Sequence, residues 1–256
     1  MISKITSEAY EIIDSYKNLK IKDKEIQTPY YINVKRARGE LRSLVGKGTP
    51  EEIVDEVKIF AQLRGFKLQD ETPESIKKFM ETQGIGIDCS GYISHILDYI
   101  LKKKTGKGLY SHIEYRRPFF YSWLINLLRP IEHSSAHLLT CPLNADIIDY
   151  KFVEPGDLIR LKGLKFGDHI ALVIETERDD KNKHLKSITY THSTNHFDKE
   201  SGVRIGKIII TDLKQPLEKQ NWTEIDNKGT CPTLKQYTNK MEDNGIARPK
   251  FFDKLK

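Results

Sequence analysis

Gly84-Ile85-Gly86-Ile87-Asp88-Cys89-Ser90-Gly91 sets a glycine-rich turn directly before a cysteine, and apolar side chains recur behind it at Ile93, Ile96, Leu97, Ile100 and Leu101. That recurrence is helical. Cys89 therefore opens a helix, where the unpaired N–H groups of the first turn carry partial positive charge. With a histidine nearby, such a place lowers a thiol pKa from about 8.5 into a range of roughly 3.5 to 7.5. The same N–H groups suit a developing oxyanion. On this reading Cys89 alkylates at pH 6 faster than Cys141 or Cys231. A small cysteine packed at the start of a core helix fits the same residues without any chemistry.

Working outward, the chain of 256 residues is 38% hydrophobic and 30% charged, which describes one large globular domain or two small ones with a wet surface. Its longest apolar run is too short to span a bilayer. The excess of 42 Lys and Arg over 36 Asp and Glu gives a net charge of +6. That balance favours polyanionic partners. The charge is spread along the chain rather than gathered with aromatics into a patch, which argues against nucleic acid. Three cysteines are not a disulfide framework; Cys141 and Cys231 either pair, leaving Cys89 free, or are ordinary thiols. The first residues lack the apolar core of a secretion signal, so the chain as written reads as cytoplasmic, or extracytoplasmic if a leader has been removed.

Before Cys89 the pattern is helical. Ala9, Ile12, Ile13, Tyr16 and Leu19 mark a first amphipathic helix, and Pro29-Tyr30-Tyr31-Ile32-Asn33-Val34 reads as a short extended run leading into basic Lys35, Arg36, Arg38 and Arg42. Thr49-Pro50-Glu51-Glu52 and Thr72-Pro73-Glu74 are helix starts, closed by Gly65 and Gly84. After the Cys89 helix, which Lys102, Lys103, Lys104 and Gly106 terminate, residues 118–128 are aromatic-rich and read as a buried helix, with a lid or partner surface as the alternative. His133 and His137 share i, i+4 spacing, but no third ligand accompanies them and surface histidines are the plain reading.

At Pro155-Gly156 the texture changes to strands over 157–161, 169–175, 186–192 and 203–211, rich in Ile, Val, Leu and Thr. Their short connections predict an antiparallel meander. Helices first and sheet second make the class α+β in one domain, with a core over about 1–213 and a polar tail from 214 to 256 that wraps it.

The ordered set Asp88-Cys89-Ser90-Gly91-Tyr92, Pro155-Gly156-Asp157-Leu158, His169-Ile170-Ala171-Leu172-Val173-Ile174, Thr191-His192-Ser193 and Gly202-Val203 resembles the successive motifs of the NlpC family. These are papain-like cysteine peptidases that cut peptide stems of the bacterial cell wall. The resemblance covers roughly residues 86–210. It implies a papain-like fold, Cys89 as nucleophile, His169 as base and His192 as the orienting third residue. It further implies stem peptides as substrate, cut beside a D-glutamyl residue, with Asp88 and Ser90 binding the stem and no metal or organic cofactor. Asp88 serves equally well as the helix N-cap.

Residue chemistry agrees on the essentials, because a thiolate needs a base within reach and a third group to fix the base's tautomer. His169 at the start of one strand and His192 at the end of the next share one end of a hairpin. Strand alternation groups His169 with Ala171 and Val173, and His192 with Tyr190 and Ile188; the three groups converge if those faces meet the Cys89 helix. The chain departs from the family pattern where Pro29-Tyr30 lies far upstream. If Tyr30 lines the site, the helices over about 49–84 are an insertion beside a basic groove; otherwise it is a strand residue. Two other classes stay open: a thiol acyltransferase or toxin-like amide hydrolase, and a non-catalytic wall-binding module.

Overall fold

The computed structural model describes residues 1–31, 42–115, 131, 134–161, 168–197, 201–237 and 245–256. Residues 32–34, Lys35, Arg36, Arg38, the aromatic segment 118–128 and His133 lie outside them; of the expected basic wall Arg42 is described, 3.5 Å from Glu52, and of the histidine pair His137, which is exposed.

Strand β1 (Ile2–Lys4) leads into helix α1 (Ser7–Lys17), then the small hairpin β2 (Leu19–Ile21) and β3 (Lys24–Ile26). Helices α2 (Pro50–Arg64), α3 (Pro73–Gln83) and α4 (Cys89–Thr105) follow. Each starts where the sequence places its cap. Thr49 and Glu52 form a reciprocal capping box, Thr72 accepts from Ser75, and Asp88 accepts from Gly91. Gly65, Gly84 and Gly106 end these helices in the left-handed conformation that lacks a side-chain clash.

The second half builds the sheet from β4 (Ala145–Ile147), β5 (Leu158–Leu161), β6 (His169–Arg178), β7 (Leu185–Thr194), β8 (Gly202–Ile209), β9 (Asn221–Trp222) and β10 (Ile246–Pro249). Its order is β4-β10-β5-β6-β7-β8-β9, with β1 also paired to β6, and every strand pair is antiparallel. The class is α+β, with N-terminal helices packed against a mostly antiparallel sheet. The expected meander is the run β5 to β9. The tail does more than wrap: β10 lies between β4 and β5, and Arg248 grips the buried Asp157 carboxylate through two bonds of 2.8 Å. Ile246 and Ala247 are both fully buried, one in each apolar layer, a short apolar run that the polar average of the tail conceals.

Two apolar layers sandwich this sheet. The helix side holds Ile93, Ile96, Leu97, Ile100 and Leu101 of α4, Ile53 and Val57 of α2, Ile76 and Met80 of α3, and sheet residues Ile170, Leu172 and Ile174. The far side holds Ala171, Val173, Ile188, Tyr190 and Trp222. Residues 49–84 thus belong to the main core. Alternation along β6 and β7 divides the two layers cleanly. Among the described residues, no helix is long and apolar enough to cross a membrane.

The turn before α4 is pinned from several sides. Ile87 forms bridges to Tyr30 and to Lys47, its N–H donates to Pro29 O at 3.1 Å, and its carbonyl accepts from Tyr31 N–H at 3.2 Å. A Cβ on Gly86 would lie 2.4 Å from Pro29 O, so only glycine permits this approach. Gly86→Ala is expected to lower unfolding free energy by about 2 kcal/mol through that overpacking, measured by urea denaturation. A midpoint equal to wild type would mean the two backbones are not held this close.

Candidate active site

Cys89 is the first residue of α4, and its neighbours on either side are tied to β7. Tyr92 Oη lies 2.9 Å from Thr191 Oγ1, and Ser193 Oγ donates to Ile87 O at 2.9 Å. These two bonds bracket both Cys89 on the helix and His192 on the strand. The helix end and the His192 segment are therefore locked in one place.

His192 meets His169 as the sequence reading requires. His169 Nε2 and His192 Nδ1 are 2.9 Å apart, with the rings edge to face. Both imidazoles are buried, His192 completely. Their faces are not the ones against the Cys89 helix, however. His169 aligns with Ala171 and Val173, and His192 with Tyr190, on the layer away from α4; it is Ile170, Thr191 and Ser193 that turn toward the helix. The reason is strand parity, since the residues that clasp the helix must alternate with those that do not.

Cys89 therefore meets the sheet at the end of β6 rather than across the face that carries His169. Pairing between β6 and β7 begins at Leu172 with Thr191, although β6 starts at His169 and β7 runs on to Thr194. At this gap the Ile170 N–H lies beside the Cys89 sulfur, one residue from His169. Among the described residues, no hydrogen bond links Cys89 to His169.

Around the sulfur stand Asp88, Ser90, Tyr30 and Lys47. Sequence reasoning missed Lys47. Its buried ammonium donates to Asp88 Oδ1 at 2.8 Å, Ser90 Oγ at 2.6 Å and Ser134 O at 3.0 Å. Asp88 Oδ1 also accepts from Gly91 N–H at 2.6 Å, so the N-cap role is real, and both expected stem-binding groups already have this internal partner. Tyr30 comes to the site as well: its phenol is pushed up by burial and by the nearby Cys89 and Asp88.

Glu224 is the second residue that sequence reasoning missed. It follows β9 in the tail and is buried. One oxygen receives Arg204 Nε at 2.6 Å and lies 3.2 Å from His192 Nε2; the other receives Tyr190 Oη at 2.5 Å and Thr233 Oγ1 at 2.9 Å. Burial would raise this carboxyl, but the contacts of His192 and Tyr190 and the Arg204 charge together bring it well below the usual range. Its only sequence signal is a Trp-Thr-Glu run too apolar at Trp222 for a wholly solvated tail.

The expected low-pKa thiol is not what the closed site provides. Burial pushes Cys89 up to about 12, with the Asp88 charge adding to it, while Lys47 and the Ile170 and Ser90 N–H groups pull the other way. Burial outweighs the helix terminus here because desolvation penalises the charged form directly. Burial likewise drives His169 well below 6.5, helped by His192 and His196. At neutral pH the pair is a thiol and a neutral imidazole. All three cysteines are free. Among the described residues, no group of three or more His, Cys, Asp or Glu side chains is placed to hold a metal ion.

No family model, curated protein or solved structure matches the chain.

Two measurements test these electrostatics. Iodoacetamide labelling of Cys89 should be slow at pH 6 and climb through pH 10; a plateau at pH 6 would mean a preformed thiolate. For His169, a folded pKa below the unfolded 6.5 means the unfolded chain binds the proton first. The stability it contributes is present above pH 6.5 and is lost as pH falls below it, at up to about 1.4 kcal/mol per pH unit. His169→Gln should flatten that slope between pH 6.5 and 5 in urea titrations, leaving the part due to His95 and His196, which are also lowered. An unchanged slope would place a proton on His169 in the fold.

Proposed function

We propose that this protein is a papain-like cysteine hydrolase that cleaves amide bonds in peptidoglycan stem peptides, beside D-glutamate. The observation that carries the reading is the 2.9 Å contact of His169 with His192 at the strand ends bracketing the Cys89 helix terminus. Supporting it are the ordered NlpC-like motifs and the arrival of Tyr30 beside the nucleophile.

On this reading His169 takes the Cys89 proton as substrate seats, which answers the high thiol pKa: the thiolate forms during attack rather than before it. The sulfur adds to the scissile carbonyl, and backbone N–H groups at the start of α4 hold the oxyanion. The imidazolium then gives its proton to the leaving amine, and water, deprotonated by His169, resolves the thioester. The His169 side chain must close on the sulfur for this, through the gap where β6 leaves β7. Lys47 holds Asp88 and Ser90 in place beside the reacting sulfur, so their part in stem binding runs through groups it leaves accessible.

A second reading, in which the site binds wall peptides without cutting them, draws on the buried thiol and its missing bond to His169. One experiment separates the two. Purified muropeptides incubated with wild type should yield cleaved stems by mass spectrometry, and Cys89→Ala should yield none. Added amine acceptors should not divert the product, as they would for an acyltransferase. Binding of muropeptides with no cleavage by wild type would favour the wall-binding module.

A further inference from the structure

We propose that Glu224, brought in by the C-terminal extension, is a positioning residue that fixes which nitrogen of His192, and through it of His169, carries the proton. This rests on the reading of His169 as the base for Cys89.

The argument starts from donors and acceptors. An ionised carboxylate only accepts, and Glu224 stands against four groups: Arg204 from β8, Tyr190 and His192 from β7, and Thr233 from the segment after β9. Cys231 also faces it from that segment. Arg204 already balances its charge at 2.6 Å, so a second buried cation on His192 would be uncompensated. His192 is then neutral and must present Nε2–H to Glu224.

Its Nδ1 is consequently bare. That nitrogen lies 2.9 Å from His169 Nε2 and can only accept, so His169 carries its proton on Nε2. The remaining nitrogen, His169 Nδ1, is left with its lone pair free to take a proton. A carboxylate two rings away thus selects the one tautomer in which His169 can act as a base through Nδ1. Reversing any link, with Nδ1–H on His192, would turn His169 Nε2 into an acceptor and put a proton on the nitrogen needed for catalysis.

His192 is completely buried on the layer away from α4, edge to face with Tyr190, whose ring in turn meets Trp222. A ring in that place would be free to flip or change tautomer without a fixed acceptor. Residue 224 supplies one only because β9 pairs with β8 through Ile208 with Trp222, two residues before it.

The test reads tautomers directly. Nitrogen-15 NMR of histidine-labelled wild type at pH 7, without substrate, should show Nε2–H and bare Nδ1 for both His169 and His192. Nδ1–H or an imidazolium on His192 in wild type would overturn the proposal whatever the mutants do. Glu224→Gln brings an NH2 against donor groups and should shift His192 toward Nδ1–H. It should lower kcat on muropeptides by about 10- to 100-fold with KM little changed. Glu224→Asp keeps the charge and should recover part of both. A Glu224→Gln protein that folds with wild-type tautomers and wild-type kcat would also overturn it. The tautomers are read without turnover, so a wild type with the expected nitrogens but no cleavage of any muropeptide would remove the hydrolase reading and leave the role of Glu224 standing.

Discussion

An ammonium group buried at the first turn of α4 is the constraint around which the helical half is assembled. Lys47 reaches Asp88, Ser90 and Ser134 from a strand-like segment that also bridges Ile87. Removing Asp88 would leave that charge unpaired in a dry place, which typically costs about 3–5 kcal/mol. Removing Lys47 would leave the Asp88 carboxylate as the orphan. The pair therefore ties two separate stretches of chain, at Lys47 and at Ser134, to the same helix end. The backbone bonds of Ile87 to Pro29 and Tyr31, and of Asp88 N–H to Gly46 O at 2.9 Å, then have only one register available.

From that fixed point the sheet follows. Tyr92 and Ser193 set the distance between α4 and β7, and parity along β7 then decides that Thr191 and Ser193 look toward the helix while Tyr190 and His192 look away. The histidines fall in the layer filled by the C-terminal extension. The candidate site is thus assembled from both sides of the sheet, with the thiol contributed by the helix layer and the imidazole pair by the opposite one. Neither layer holds the whole arrangement, and they come nearest at the start of β6, which pairs with β5 but not with β7.

Much of this was legible in the sequence, and the legible parts share a cause. Caps such as Thr49 with Glu52, the closing Gly65 and Gly84, and the alternation of His169 through Ile174 are local signals whose physics acts within a few residues. Even the His169–His192 contact follows from local rules, since two adjacent strands bring their ends together. Lys47 and Glu224 were not legible because nothing near them in the chain marks them. A lysine between Gly46 and Gly48 and a glutamate in a polar tail look solvated, and each becomes buried only through partners 41 and 32 residues away. The layer facing of the histidines is not legible for a related reason: parity is local, but which parity meets the helix is set by Tyr92 and Ser193 across the fold.

The burial that organises the site also sets the form of its chemistry. A thiol at an exposed helix terminus would gain from the N–H groups and stand ready as a thiolate. At Cys89 the same N–H groups are present, yet the loss of solvent dominates and the sulfur stays protonated, as the neutral His169 stays unprotonated. Two neutral partners in a dry site exchange a proton at the cost of creating an ion pair, and that cost falls only if something polarises the accepting ring. On the proposed reading the ionised Glu224, acting through His192, is placed to do so, because its charge favours a proton on His169. Arg204 limits that pull by sharing the carboxylate at 2.6 Å. If His169 is the base for Cys89, as proposed, this surrounding favours a ring that is neutral at rest and protonated only while the thiolate exists.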